Sequence, residues 1–155
     1  MDIIRAGGNP QIDSSGNPTD VGRRATKSIT FNGTTVGGIG VLTLFTVTGE
    51  VLIKRIMPFC ITGPTGTATA SISLGITVNG VLFAAGTTAI NMDTDEWWLS
   101  GTPSAGGAAL VAAMKEVVTT NDVILTVATD VVSDGSVRFD IDWEPLSAGS
   151  TLVAA

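Results

Sequence analysis

The sequence predicts an all-β chain, an antiparallel β-sandwich or jelly-roll-like domain led by an extended N-terminal arm. Two observations carry that expectation. Apolar and polar residues alternate at period two in several segments, the signature of half-buried strands. Turn-forming clusters of Gly, Pro, Asn and Asp recur about every 8–12 residues, the spacing of sandwiches and barrels rather than of βαβ units.

Residues 1–27 show neither a helical nor a strand period. Gly7-Gly8-Asn9-Pro10 and Ser14-Ser15-Gly16-Asn17-Pro18 are breaker clusters, so this stretch is an extended arm, either disordered or ordered by lying on a partner. Residues 28–146 form the sandwich domain and residues 147–155 a C-terminal tail.

Ser28–Asn32 is the first short strand, closed by Asn32-Gly33. Val41–Thr48 and Val51–Ile61 follow, parted by Gly49-Glu50. Val41–Thr48 places Leu42 and Leu44 on one face and Val41, Phe45 and Val47 on the other, which predicts burial on both sides. Gly63-Pro64-Thr65-Gly66 is a turn.

In Ala68–Val78, Ile72, Leu74, Ile76 and Val78 share one face, and Ser71, Ser73, Gly75 and Thr77 share the solvent face. Asn79-Gly80 then supplies positive φ at both turn positions and leads into Val81-Leu82-Phe83, a hairpin signal. Ala84–Met92 is a weaker strand, and Asp93-Thr94-Asp95-Glu96 turns the chain into Trp97-Trp98-Leu99. A loop of small residues runs from Ser100 to Ala109. Leu110–Lys115 is either one helical turn or a short strand. Val123–Thr129 and Val137–Glu144 complete the set, separated by a turn at Ser133-Asp134-Gly135-Ser136. The last strand alternates sharply, with Val137, Phe139, Ile141 and Trp143 inward and Arg138, Asp140, Asp142 and Glu144 outward.

At 155 residues the chain holds one good core. It is 44% hydrophobic and only 14% charged. The most apolar stretch, Val36 to Val47, is cut by glycines and Thr43 and falls short of the about 18–20 apolar residues that cross a bilayer. Met1–Arg5 lacks a basic region followed by an apolar run, so no secretory signal is expected. Buried subunit interfaces account for the apolar surplus, the alternative being a tightly packed monomer with a Thr/Ser/Gly surface.

The net charge of −6 is uneven. Residues 1–27 hold Arg5, Arg23, Arg24 and Lys27 against three acids, while the remainder holds four basic residues against eleven acids. An acidic body repels phosphate backbones, so nucleic acid is not an expected partner. Cys60 is the single cysteine and sits in the apolar run Ile56–Ile61, where it is expected to be a buried, inert thiol.

The chemistry of an enzyme is missing. Histidine and tyrosine are absent, which removes Ser-His-Asp and Cys-His arrangements and the usual zinc ligand. The glycine-rich segments lack the lysine of a phosphate-binding loop. Asp140, Asp142 and Glu144 could pair two carboxyls at glycosidase spacing, but a solvated acidic face explains them as well. Asp93/Asp95/Glu96 and Asp13–Asn17 offer oxygen ligands for Ca2+, without an EF-hand spacing, and polar turns account for both. No catalytic residue, cofactor or metal is therefore assigned.

Trp143 belongs to the core face. Trp97 and Trp98 are adjacent and in a strand must point to opposite faces, so at least one is a partner-contact candidate. Arg5, Arg23, Arg24 and Lys27 are the others.

Val47-Thr48-Gly49-Glu50-Val51-Leu52, Ala70-Ser71-Ile72-Ser73-Leu74-Gly75 and Trp143-Glu144-Pro145-Leu146-Ser147 resemble segments of small tailed-phage structural proteins of the capsid decoration or cement type. The resemblance spans about Thr46 to Ser147. It implies a β-sandwich or jelly roll, commonly a homotrimer, bound outside an icosahedral head where it bridges major capsid protein subunits. The expected partners are then the major capsid protein and further copies of the chain, with no membrane, and the protein is made in the host cytoplasm. The basic arm would pair with acidic lattice surface, and the Asp140/Asp142/Glu144 face would look outward. Two other readings stay open. One is a tail, baseplate or head-fibre component that recognises a host glycan through Trp97 or Trp98 with Asn91; the other is a carboxylate-dependent hydrolase.

Overall fold

The computed structural model describes residues 23–99 and 102–155. In chain order its strands are β1 (Arg23–Thr30), β2 (Gly40–Thr48), β3 (Val51–Gly66), β4 (Ser71–Ile76), β5 (Asn79–Thr88), β6 (Glu96–Trp97), β7 (Ser104–Ala105), β8 (Lys115–Thr119), β9 (Val123–Ala128), β10 (Val132–Pro145) and β11 (Thr151–Ala154). They form two antiparallel sheets, ordered β1-β10-β3-β6-β7 with β8 also on β3, and β11-β2-β9-β4-β5. The expected all-β sandwich is the observed fold. The core lies between the sheets and holds Leu44, Phe45, Ile53, Ile56, Leu74, Phe83, Trp98, Leu125, Phe139 and Ile141.

Both ends of the described body are strands. β1 begins at Arg23, five residues ahead of the expected Ser28, because Arg23–Lys27 find ladder partners on β10. The segment expected as a tail returns as β11 along β2, which buries Leu152. Residues 110–115 resolve into a 3₁₀ turn at Ala112–Met114 that leads directly into β8.

Several breaker clusters act by close approach rather than by turning the chain. Gly63–Gly66 and Ser133–Ser136 were expected as two turns; they are instead the bulged ends of β3 and β10, paired with one another. Gly135 has φ +104, and a Cβ there would stand 2.5 Å from Pro64 Cα. The expected Asn79-Gly80 turn is corrected similarly. Ile76 pairs with Asn79, so Thr77 and Val78 make the turn, and neither Asn79 nor Gly80 adopts positive φ. Gly75 is the reason for the tight passage: a Cβ there would lie 2.1 Å from Asn79 O. That crossing buries Gly75, and Ser73 is buried too, so the expected solvent face of β4 is covered.

β2 carries the other correction. Leu44 and Phe45 are adjacent yet both wholly buried. The register between β2 and β9 shifts between Thr43 and Phe45, a bulge that switches which parity faces the core. Val41, ahead of the bulge, is 65% exposed. Within the chain, β2 is apolar on both parities because it is bulged, not because both of its faces are covered.

Candidate basic groove and its apolar neighbour

The outer face of the six-stranded sheet carries the chemistry. β10 turns Val137, Phe139, Ile141 and Trp143 inward as expected, and all four are buried. Its outward carboxylates are not a solvated acidic face. β1 sets Arg24 opposite Asp142 and Thr26 opposite Asp140. Arg24 Nε donates to Asp142 Oδ1 at 2.8 Å, and its Nη2 reaches Oδ2 at 3.3 Å. From the other side, Arg55 Nε donates to Asp142 Oδ2 at 2.5 Å.

A bulge in β3 supplies the second cation of this side. Trp143 pairs with Ile53 and Asp142 with Arg55, so Lys54 is the extra residue. Lys54 and Arg55 therefore both leave the core, and Lys54 forms an ion pair with Glu144. Asp140 is bound by Thr26 Oγ1 at 2.7 Å and by Arg138 Nε at 2.8 Å. The Arg24 hydrogen bonds, helped by Arg55, hold the Asp142 carboxyl below its ordinary range against the opposing effect of burial. A glycosidase pair needs one carboxyl kept protonated for its acid role. This ladder does the opposite: it pairs its carboxylates with cations.

Arg23, Arg24, Lys54, Arg55 and Lys115 line a groove of about 720 Å³ together with Asp142 and Leu110. Lys27 and Arg138 are the only other basic side chains among the described residues. An acidic protein has thus gathered most of its described positive charge on one patch. Arg23 adds a cation–π contact, its guanidinium carbon lying 5.3 Å from the Trp143 ring centroid.

Beside the groove, sharing Leu110 with it, is an apolar notch of about 200 Å³ lined by Met57, Trp97, Leu99, Gly107, Ala108 and Leu110. Trp97 forms its wall and is tilted on Phe59, with ring centroids 4.8 Å apart. The far face of Phe59 meets Arg138, whose guanidinium carbon is 5.2 Å from the centroid.

The partner-contact candidates separate as follows. Arg5 lies outside the described residues. Arg23 and Arg24 are in the groove, Arg24 committed to Asp142 of its own chain. Lys27 turns away and donates to the Ala155 carbonyl. Trp97 is half-buried beside the notch, whereas Trp98 is wholly buried and donates from Nε1 to Thr87 Oγ1 at 3.0 Å. Trp98 is therefore a core residue and offers no surface to a partner.

Sequence reasoning missed Lys54, Arg55 and Lys115. The adjacent pair Lys54-Arg55 was the available signal, since in a regular strand one of two neighbouring cations would face the core, which a bulge avoids.

Asp93, Asp95 and Glu96 lie beside the far end of β3, where Asp95 N donates to Cys60 O at 2.9 Å and Gly63 N to Thr94 Oγ1 at 3.0 Å. Glu96 Oε2 is occupied by Asp93 N at 2.8 Å. Among the described residues no three His, Cys, Asp or Glu side chains group as metal ligands; Asp13–Asn17 lies outside them. Cys60 is buried as expected. That burial, followed by the fields of Glu96, Asp93 and Asp95, pushes its thiol up to about 11.

No family model and no curated protein matches the chain. Among solved structures it is similar to a chain of the cyanophage Pam1 capsid asymmetric unit. The identity is 14% and the TM-score 0.50, over 94% of this chain and 99% of that one. The likeness is one of fold, and it runs nearly end to end in both chains.

Proposed function

We propose that the chain is a phage virion structural protein that binds the outside of the capsid and decorates or cements it. The observation that supports this most is the likeness of fold, spanning most of both chains, to a chain of a phage capsid asymmetric unit. The site chemistry agrees: the outer sheet face offers paired charges and an apolar notch, which suit docking, and its carboxylates sit in ion pairs.

In this reading the partners are the major capsid protein and further copies of the chain in a homotrimer. The arm ahead of β1 provides attachment, and Arg23 presents its charge within the groove. The protein is made in the host cytoplasm and resides on the capsid exterior.

Rebinding tests the proposal. Capsids prepared without the protein are mixed with the purified full chain and sedimented. Stoichiometric co-sedimentation, with raised resistance of the capsids to heat-driven DNA release, is expected. Free protein remaining in the supernatant at saturating capsid would overturn the reading.

A further inference from the structure

The strand register lines up one residue from each of four neighbouring strands across the outer face of the six-stranded sheet. Arg24 of β1 pairs with Asp142 of β10, Asp142 with Arg55 of β3, and Arg55 with Lys115 of β8. Directly paired residues of antiparallel strands project to the same side, and all four line the groove. At about 4.8 Å per strand the row is about 14 Å long.

Its charges run plus, minus, plus, plus. The first three are settled among themselves, since Asp142 accepts from Arg24 on one flank and from Arg55 on the other. The fourth is not. Lys115 stands opposite Arg55, a like-charge pair that is unfavourable by itself. Among the described residues no carboxylate forms an ion pair with Lys115. Arg55 gives only its Nε to Asp142, and its two Nη groups make no hydrogen bond within the described residues. A carboxylate set between Arg55 and Lys115 completes the alternation that Asp142 begins, and charge-assisted donors stand ready on both sides of it.

Alternate residues of β3 carry the same face onward. Met57 is two positions from Arg55, about 6.6 Å along the strand, and lines the apolar notch. Leu110 borders both the groove and the notch. The place for a carboxylate and the place for an apolar group are therefore one strand repeat apart. That is the spacing of side chains i and i+2 in an extended segment.

We infer that this site binds an extended acidic segment of a partner protein. Its Asp or Glu is received by Arg55 and Lys115, and a bulky apolar residue two positions away is seated against Met57 and Leu110. A phosphate backbone is the wrong occupant: it would leave the notch bare, and the acidic body repels it. The chemistry of the ligand stands on the groove and the notch; that the segment belongs to a capsid protein rests on the reading proposed above.

Two experiments on the full chain test it. The first is an NMR titration with a serine/glycine peptide that carries one glutamate and, two positions on, one leucine. Shifts are expected at the Met57 methyl, the Trp97 indole and the Lys115 amide, with a dissociation constant of about 0.1–1 mM for so small a contact. Glutamine in place of the peptide's glutamate, or Lys115→Glu in the protein, weakens binding about fivefold, and the loss shrinks at high salt. Ala108→Phe, at an exposed position of the notch, weakens it by blocking the leucine. Unchanged melting temperatures report that both variants keep the fold. The inference is overturned if the glutamine peptide binds as well, or if duplex DNA binds the groove more tightly than the peptide. It is also overturned if the same resonances move with protein concentration alone, which makes a second copy the occupant. The second experiment repeats the capsid co-sedimentation with both variants. Wild type that sediments while Lys115→Glu and Ala108→Phe sediment equally well overturns the inference. Wild type that stays in the supernatant overturns the capsid reading instead, and the peptide titration still decides the site.

Discussion

Replacing Trp98 by Phe separates the two adjacent tryptophans by function. Trp98 is wholly buried, and its Nε1 donates to Thr87 Oγ1 at 3.0 Å, itself only 2% exposed. Loss of that buried hydrogen bond costs about 1 kcal/mol, since Thr87 keeps its own bond to Ala85 O. The smaller ring forfeits burial and leaves a void, worth about 1–2 kcal/mol more. The sum of about 2–3 kcal/mol lowers the melting temperature by roughly 6–10 °C for a domain of this size. Thermal unfolding by calorimetry reads the shift, and Thr87→Val supplies the second corner of a double-mutant cycle with a coupling of about 1 kcal/mol. Unchanged stability in Trp98→Phe, or a loss of capsid binding with no loss of stability, would refute the assignment of Trp98 to the core.

Three further outcomes follow from the same structure. Gly75→Ala places a Cβ against the Asn79 and Gly80 backbone and destabilises by about 2 kcal/mol or more. Gly86→Ala, in the same hairpin, meets only the movable Ser71 hydroxyl and stays within about 0.5 kcal/mol in urea unfolding. Asp142 has a lowered folded pKa, so its contribution is present above the unfolded value and is lost as pH falls through the folded one. Asp142→Asn should flatten the fall in melting temperature between about pH 5 and pH 2, modestly, because Arg24 and Arg55 are 57% and 51% exposed. The Cys60 thiol, raised to about 11 and buried, should resist iodoacetamide in the native protein at pH 8 and react rapidly in denaturant; equal rates in both states would contradict its place in the core.

The sandwich was legible because its strongest signals are local. Val137–Glu144 alternates without interruption, and its inward set is the buried set. What stayed hidden depends on residues distant in sequence. The outward carboxylates looked solvated because nothing near them announces Arg24, 118 positions away, or Arg55, 87 away. The bulges at Leu44–Phe45 and Lys54–Arg55 change which parity faces the core, which a strict period of two cannot register. The glycine clusters were recognised as special backbone but assigned to turns, because close approach between β3 and β10 is a tertiary fact. Of the functional surface, the charged arm residues Arg23 and Arg24 were visible. Their assembly with Lys54, Arg55 and Lys115 into one groove was not.

The capsid assignment is the claim on which the rest of the functional account depends. A cryo-electron reconstruction of the purified particle, at a resolution that traces β1 to β11, tests it most directly. The account predicts the two-sheet body on the outer surface of the shell, touching the major capsid protein, with the residues ahead of β1 running onto that lattice. Density for this chain confined to the tail or baseplate, within the shell, or absent from the particle would contradict it.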